Sequence, residues 1–261
     1  SAIARASLTA MAIATNRTRA GRPAPEPTLA SSVLDRLRAE IVKGTLAPGT
    51  KLRLEHLAPS YGVGRTPLRE ACCRLAAEGL VTIEDQRGFR VAPVSAADLQ
   101  DLTRTRQQVA QLALRSSIQR GNSVWEDQVT AALQRLVARG RQGVTRRLDD
   151  AWEHDHGLFH DALLSACDSP LLLRFHRQLF EQSERYRRLA TAYGQPTRDV
   201  EGEHQALAAA ALGRDAERAC ALVVEHIAVR LGAETALFEG VRDERELDEH
   251  RGHARGHQHV E

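Results

Sequence analysis

The chain changes character at Ser95, and this change constrains its fold more than any other feature. Before Ser95, short helical patterns end at Gly44 and Gly79, and two runs rich in β-branched residues follow. After Ser95 no strand pattern appears, and helical periodicity repeats as far as residue 239. Aromatic residues make up only 4% of the chain, so Leu, Ala and Val must build the core, which favours packed helices. The sequence therefore predicts a mostly α protein with two domains, 31–94 and 95–239.

The first domain has the order of three helices followed by a hairpin. Ser31 or Ser32 is predicted to cap the first helix, and residues 54–60 to form the second. Arg65-Thr66-Pro67 is predicted to open the third helix, since proline suits a first helical turn. A hairpin at 80–93 then completes a winged helix-turn-helix. In that fold the first residues of the third helix enter the major groove, and the wing lies on the backbone or in the minor groove.

Arginines cluster where such a domain would contact DNA. Arg65 and Arg69 lie one turn apart at the start of the third helix, and an arginine there can donate two hydrogen bonds to guanine. Arg87 and Arg90, in and after the wing, are candidate phosphate contacts. Residues 1–95 carry 14 Lys and Arg against 8 Asp and Glu, as a polyanion-binding half would, although a solvated surface gives the same excess. The predicted DNA-binding residues are Arg65, Thr66, Arg69, Arg74, Arg87 and Arg90.

Two motifs carry a resemblance to a known family. Residues 62–81, GVGRTPLREACCRLAAEGLV, and 87–91, RGFRV, resemble the DNA-binding domain of the GntR family of bacterial transcription regulators. Gly64 departs from the small polar residue that the family usually has there. The resemblance implies a double-stranded DNA operator as partner. Because one winged helix covers only a few base pairs, reading an operator also predicts a homodimer.

Four histidines of the second domain fall on predicted core faces. His156 and His160 lie at i, i+4 on one helix, and His204 and His226 lie on two later helices. A buried ionisable group is costly unless it is paired or bound to a metal. Two histidines one turn apart can share an ion, and neighbouring helices can complete its coordination. The pattern predicts a divalent metal site, with Zn or Ni as the ion; four ordinary core histidines are the alternative.

The motifs around these histidines resemble the FCD domain, the all-helical ligand-binding half of FadR-subfamily regulators. The matching segments are HGLFH at 156–160 and EHQALAAAALGRDAERACALVVEH at 203–226. Metal-binding members hold a divalent ion beside a cavity for a small carboxylate effector. His156 stands where those members have Asp, so Asp155, one residue earlier, is the alternative first ligand.

The same resemblance implies an effector contact at Arg106. This arginine interrupts the apolar stripe of the helix that starts at Ser95, where the family places an arginine that can pair with a carboxylate. Residues 103–126, TRTRQQVAQLALRSSIQRGNSVWE, further resemble the CsiR-like carbon-starvation regulators, which respond to dicarboxylates such as glutarate. The implied effector is a small carboxylate, and the resemblance to CsiR-like regulators favours a dicarboxylate.

Residues outside the two domains have compositions typical of solvated segments. Residues 1–30 are predicted to be a flexible arm, and residues 240–261 a disordered, charged, His-rich tail. No apolar run approaches the 18 residues that a membrane-spanning helix needs, and no membrane partner is expected. Four cysteines without framework spacing predict reduced thiols and a cytoplasmic location.

Together these features predict a ligand-responsive transcription regulator and not an enzyme. A metal-dependent hydrolase with an appended DNA-binding domain is one alternative, but H-E-x-x-H and G-x-S-x-G motifs are absent from the sequence. A hydrolase also needs a general base near its metal. Glu203 adjoins His204, but the side chains of adjacent residues diverge by about 100° around a helix. A regulator with a purely structural metal is the other alternative. We expect ligand and DNA binding to be coupled through the helix that starts at Ser95, two residues after the wing.

Overall fold

The computed structural model describes residues 29–84, 87–141, 149–191 and 199–228. The predicted tail, 240–261, and all but the last two residues of the predicted arm, 1–30, lie outside the described residues. The same holds for residues 229–239 of the second predicted domain.

The N-terminal domain has the predicted winged helix-turn-helix architecture. Its three-stranded antiparallel sheet has the order β1-β3-β2. The short strand β1 was not predicted, because two residues cannot display a periodicity. The elements are α1 (Leu29–Val42), β1 (Lys51–Leu52), α2 (Leu54–Tyr61), α3 (Arg65–Ala77), β2 (Val81–Glu84) and β3 (Gly88–Val91).

The predicted cap of the first helix is wrong. The chain is already helical at Leu29, the first described residue, so Ser31 and Ser32 lie within α1. The turn before α3 follows the prediction: Gly62 ends α2 with a φ of 64°, and α3 begins three residues later. A left-handed glycine reverses the chain at little steric cost. The apolar face of α3 then packs on α1, which leaves its first turn at the surface.

The described residues of the second domain form helices. They are α4 (Ala96–Arg120), α5 (Ser123–Arg141), α6 (Asp150–Leu164), α7 (Pro170–Thr191), α8 (Val200–Leu212) and the helical residues 216–228, here called α9. Ser95 caps α4 as predicted, because its hydroxyl accepts from the Asp98 N–H at 3.0 Å. The helix α6 begins at Asp150, because the Asp149 carboxylate accepts from the Ala151 N–H at 3.0 Å.

Phe159, Leu163 and Leu207 lie in the main core of this domain, which α4, α5, α6, α8 and α9 share. Among the described helices, none combines the length and apolar character that crossing a bilayer requires. All four cysteines are free thiols.

The helix α7 contacts both domains. One of its faces packs on α4, where Tyr186 forms a small cluster with Leu99 and Leu102. Another face reaches the DNA-binding domain: Gln182 Nε2 donates to the Glu78 carbonyl at 2.6 Å. A Cβ at Gly79, which has a φ of 78°, would lie 3.0 Å from that Nε2 atom, so glycine permits this close approach.

Candidate functional site

The structure brings together the four histidines that the sequence predicts as metal ligands. One ring nitrogen from each of His156, His160, His204 and His226 lies within 4.8 Å of the other three, and all four side chains are buried. The ring centroids are 4.7 to 6.2 Å apart. Since the rings come from α6, α8 and α9, the cluster joins three helices at one point.

The spacing of the two rings on α6 fits a common ion. His156 Nε2 and His160 Nε2 are 3.1 Å apart. Two nitrogens bound to one Zn²⁺ at about 2.0–2.1 Å would lie about 3 Å from each other. The two residues reach this spacing because positions i and i+4 of a helix share one face.

Carboxylates orient two of the four rings from outside the cluster. Glu203 Oε2 lies 2.8 Å from His226 Nδ1, and Glu153 Oε2 lies 3.4 Å from His156 Nδ1. An ionised carboxylate only accepts hydrogen bonds, so each Nδ1 donates, and in the neutral ring the lone pair then lies on Nε2. Arg187 holds Glu153 in place with a hydrogen bond of 2.7 Å. Such carboxylate–histidine pairs typically accompany metal ligands.

The surroundings of His160 in the cluster favour the neutral form of its ring. Burial lowers the pKa of His160 well below 6.5, and the neighbouring histidines and Arg106 lower it further. A neutral ring is the form that binds a metal, since the ion and the proton compete for the same lone pair. The donor set and the neutral His160 ring therefore fit a divalent ion.

Asp155, the alternative first ligand, lies outside the cluster. It is buried on α6, but its carboxylate forms an ion pair with Arg139 of α5. Adjacent helical residues point about 100° apart, so only one of Asp155 and His156 can face the other histidines. In the structure that residue is His156.

Arg106 lies buried beside the histidine cluster. Its Nη1 atom donates to Ser183 Oγ at 2.9 Å, and its Cζ atom is 4.9 Å from the centroid of the Phe180 ring. The same ring lies 5.4 Å from His156 and 5.6 Å from His160, centroid to centroid. A buried guanidinium near a cluster that could hold a metal ion is suited to attract a carboxylate.

The helix α7 also contributes to this site, which the sequence did not predict. His176, Phe180, Ser183 and Arg187 follow the i, i+4, i+7, i+11 pattern of one helical face, and that face meets Arg106 and the cluster. This helical spacing is present in the sequence. It gave no signal there, because one aromatic and three polar residues of different types do not form an apolar stripe.

We predict that His176 makes the stability of the metal-free protein depend on pH. Burial and Arg106 lower its pKa to about 3, so the unfolded chain takes up a proton below pH 6.5 that the folded chain does not. The free energy of unfolding should then fall by roughly 1 kcal/mol per unit between pH 6.5 and 5.5 through this residue alone. Urea unfolding in the presence of a chelator measures the slope. The slope of His176→Phe should be smaller, and equal slopes would contradict the prediction.

The predicted DNA-binding residues are exposed, with one exception. Arg65, Thr66, Arg69, Arg74 and Arg87 lie at the surface. The guanidinium of Arg90 instead pairs with Glu84 Oε1 at 2.6 Å and donates to the Gly49 carbonyl at 2.6 Å. Glu84 lies on the opposite strand of the hairpin and Gly49 lies just before β1. Arg90 therefore stabilises the wing, a role that the sequence did not indicate.

Comparisons with known families agree with this architecture. The family described as bacterial regulatory proteins, gntR family, matches residues 29–91, and the FCD domain matches residues 101–229. The chain therefore belongs to the GntR family of bacterial regulatory proteins and carries an FCD domain. It is a DNA-binding transcription regulator, and the predicted family and fold are confirmed.

Two relatives and one solved structure are similar to the chain over most of its length. The chain is 41% identical over 201 residues to the HTH-type transcriptional regulator BphR of Paraburkholderia xenovorans, covering 76% of this chain and 82% of BphR. It is 34% identical over 195 residues to the HTH-type transcriptional repressor GlaR of Escherichia coli, covering 73% and 89%. The solved structure of E. coli McbR/YncC has the same fold, with a TM-score of 0.68 at 20% identity over 81% of this chain and 99% of that one.

Proposed function

We propose that a small carboxylate, bound beside a divalent ion in the FCD domain, sets the affinity of this regulator for its operator. The observation that carries the proposal is the convergence of four buried histidines from three helices next to the buried Arg106. No other group of at least three metal-ligating side chains is found among the described residues.

Each part of the site has a distinct role in this proposal. His156, His160, His204 and His226 would hold the ion, for which imidazole ligands favour Zn or Ni. The ion would supply positive charge in a site of low dielectric constant. Arg106 would pair with the carboxylate of the effector, and Phe180 would exclude water from the ion pair.

The contacts of α7 support a direct route from this site to DNA. Ser183 accepts from Arg106, while the preceding residue, Gln182, donates to the carbonyl of Glu78. Glu78 caps the C-terminal end of α3, the helix expected in the major groove. A movement of α7 would therefore shift α3. This route adds to the one expected through α4, which packs on α7.

The charges around α1 support the same coupling. Arg38 of α1 forms ion pairs with Glu78 at 2.7 Å and with Glu181 of α7 at 3.5 Å. Lys43, at the end of α1, pairs with Asp150 of α6. The DNA-binding domain is thus held to two helices that also carry residues of the effector site, and ligand binding can change the spacing of two winged helices in a homodimer.

Binding without turnover is supported by the state of the nearby carboxylates. A metal-dependent hydrolase needs a general base beside the reacting water. In the described part of the chain, Glu203 and Glu153 form hydrogen bonds with the cluster, and each is directed at a histidine Nδ1. This arrangement orients ligands, as a binding site requires.

We expect succinate or glutarate to change the operator affinity of the metal-loaded protein by about 5- to 150-fold. Reciprocity requires operator DNA to change the affinity for the carboxylate by the same factor. Fluorescence anisotropy with labelled operator measures the first quantity and calorimetry the second, while light scattering should give the mass of a dimer, both free and on DNA.

Gln182→Ala should reduce this coupling, because it removes the contact between α7 and the end of α3. Gln205→Ala is a matched control, since Gln205 is exposed on α8 and should leave the coupling unchanged. If no carboxylate changes operator affinity, the metal is structural and the proposal is wrong.

A further inference from the structure

His176 of α7 is a buried imidazole that lacks a hydrogen-bond partner in the described part of the chain. Its side chain is 2% exposed, and neither Nδ1 nor Nε2 forms a hydrogen bond there. Buried polar groups are nearly always hydrogen-bonded, since leaving one unsatisfied is costly. The ring is therefore suited to bind a polar group that the described residues do not supply.

The position of His176 connects it with the proposed effector site. Its ring centroid lies 6.1 Å from that of Phe180, one helical turn along α7. The Phe180 ring is also next to Arg106, with its centroid 4.9 Å from Cζ, and next to His160, at 5.6 Å. The metal-binding cluster, the arginine and His176 thus border one aromatic ring.

The chemistry of His176 selects the class of group that it can bind. Because burial and Arg106 lower its pKa to about 3, the ring is neutral near pH 7 and offers one N–H donor and one acceptor nitrogen. The charge of Arg106 that opposes protonation of the ring would also favour an anion beside it. An oxygen of a second carboxylate group satisfies both conditions.

We propose that His176 donates a hydrogen bond to the second carboxylate of the effector, and that this contact makes the site selective for dicarboxylates. The inference rests on the proposed function and adds the residue that selects among small carboxylates. A dicarboxylate would place one carboxylate group at the cluster and the other at His176, with Arg106 near both. A monocarboxylate such as butyrate, which is glutarate without its second carboxylate group, would leave the His176 ring without this hydrogen bond.

The test compares two acids of similar length on the full-length, metal-loaded protein. Calorimetry with glutarate and with butyrate should show tighter binding of glutarate to the wild type. His176→Phe keeps a flat ring but removes both nitrogens. It should weaken glutarate by about 10- to 100-fold, the range for a hydrogen bond to a charged group, and leave butyrate affinity and metal content unchanged.

Two further variants serve as a partial rescue and as a control. His176→Asn retains a side-chain N–H and should recover part of the lost glutarate affinity; it also serves if the phenylalanine variant does not fold. His154→Phe is the matched control, because His154 is exposed on α6 and should bind both acids like the wild type.

The outcomes separate this inference from the proposed function. If His176→Phe binds glutarate as tightly as the wild type, or loses glutarate and butyrate equally, His176 does not contact a second carboxylate and the inference is wrong. If the metal-loaded wild type binds neither acid, the proposed function fails and the inference with it.

Discussion

Replacing His204 or His226 by alanine is expected to weaken metal binding by more than about 100-fold. Each residue is one of four buried donors, and even the loss of a residue that only orients a ligand costs about 10- to 100-fold. Metal content after gel filtration, and competition with a chromophoric chelator, measure the loss. The metal-depleted variants should also lose the response of operator affinity to succinate or glutarate.

Two matched variants make this result specific. His154→Ala removes an exposed histidine from α6 and should leave metal binding unchanged. Glu203→Gln keeps His226 but weakens the hydrogen bond to its Nδ1, so metal affinity should fall by about 10- to 100-fold. If both alanine variants keep their metal and their effector response, the four histidines are core residues and the site lies elsewhere.

Arg65→Ala or Arg69→Ala is expected to cost about 1–3 kcal/mol on the specific operator and to relax base preference. Both residues are exposed in the first turns of α3, where a winged helix reads base edges. Arg87→Ala should instead weaken binding to all sequences alike and lower the salt slope by roughly one unit. Anisotropy titrations on specific and scrambled duplexes, at several salt concentrations, distinguish the two effects.

Arg218→Ala serves as the control for these arginine variants. Arg218 is exposed on α9 of the FCD domain, so its loss changes the net charge by the same amount without touching the DNA-binding domain. It should leave operator preference unchanged. An Arg65→Ala protein that kept full operator preference would show that α3 does not read bases through its first turn.

The sequence predicted most elements well, because their signals are local. Ser95 caps α4 and Asp215 caps α9 through side-chain oxygens that accept from an N–H three residues later. Such pairs are visible as short spacings. One local signal was misleading: Ser31 and Ser32 have the residue type of a helix cap but lie inside α1.

Part of the candidate site was also predictable from single-helix patterns. His156, His160, His204 and His226 fall on the apolar stripes of their own helices, and a stripe that faces the core brings its polar members inward together. His156 shares that stripe and Asp155 does not, so helical geometry already favoured His156 as the first ligand. Arg106 was found by the same pattern and by its resemblance to an effector-binding arginine.

The sequence by itself thus determined the two domains, the winged helix and the inward histidines, since each depends on spacings within one element. Only the tertiary structure decided which groups meet across elements. Glu203 orients His226 although 23 positions separate them, Arg90 is held inside the wing, and α7 brings His176 beside the ring that borders Arg106. The physical reason is that periodicity specifies which face of a helix is buried, whereas helix packing determines what that face contacts.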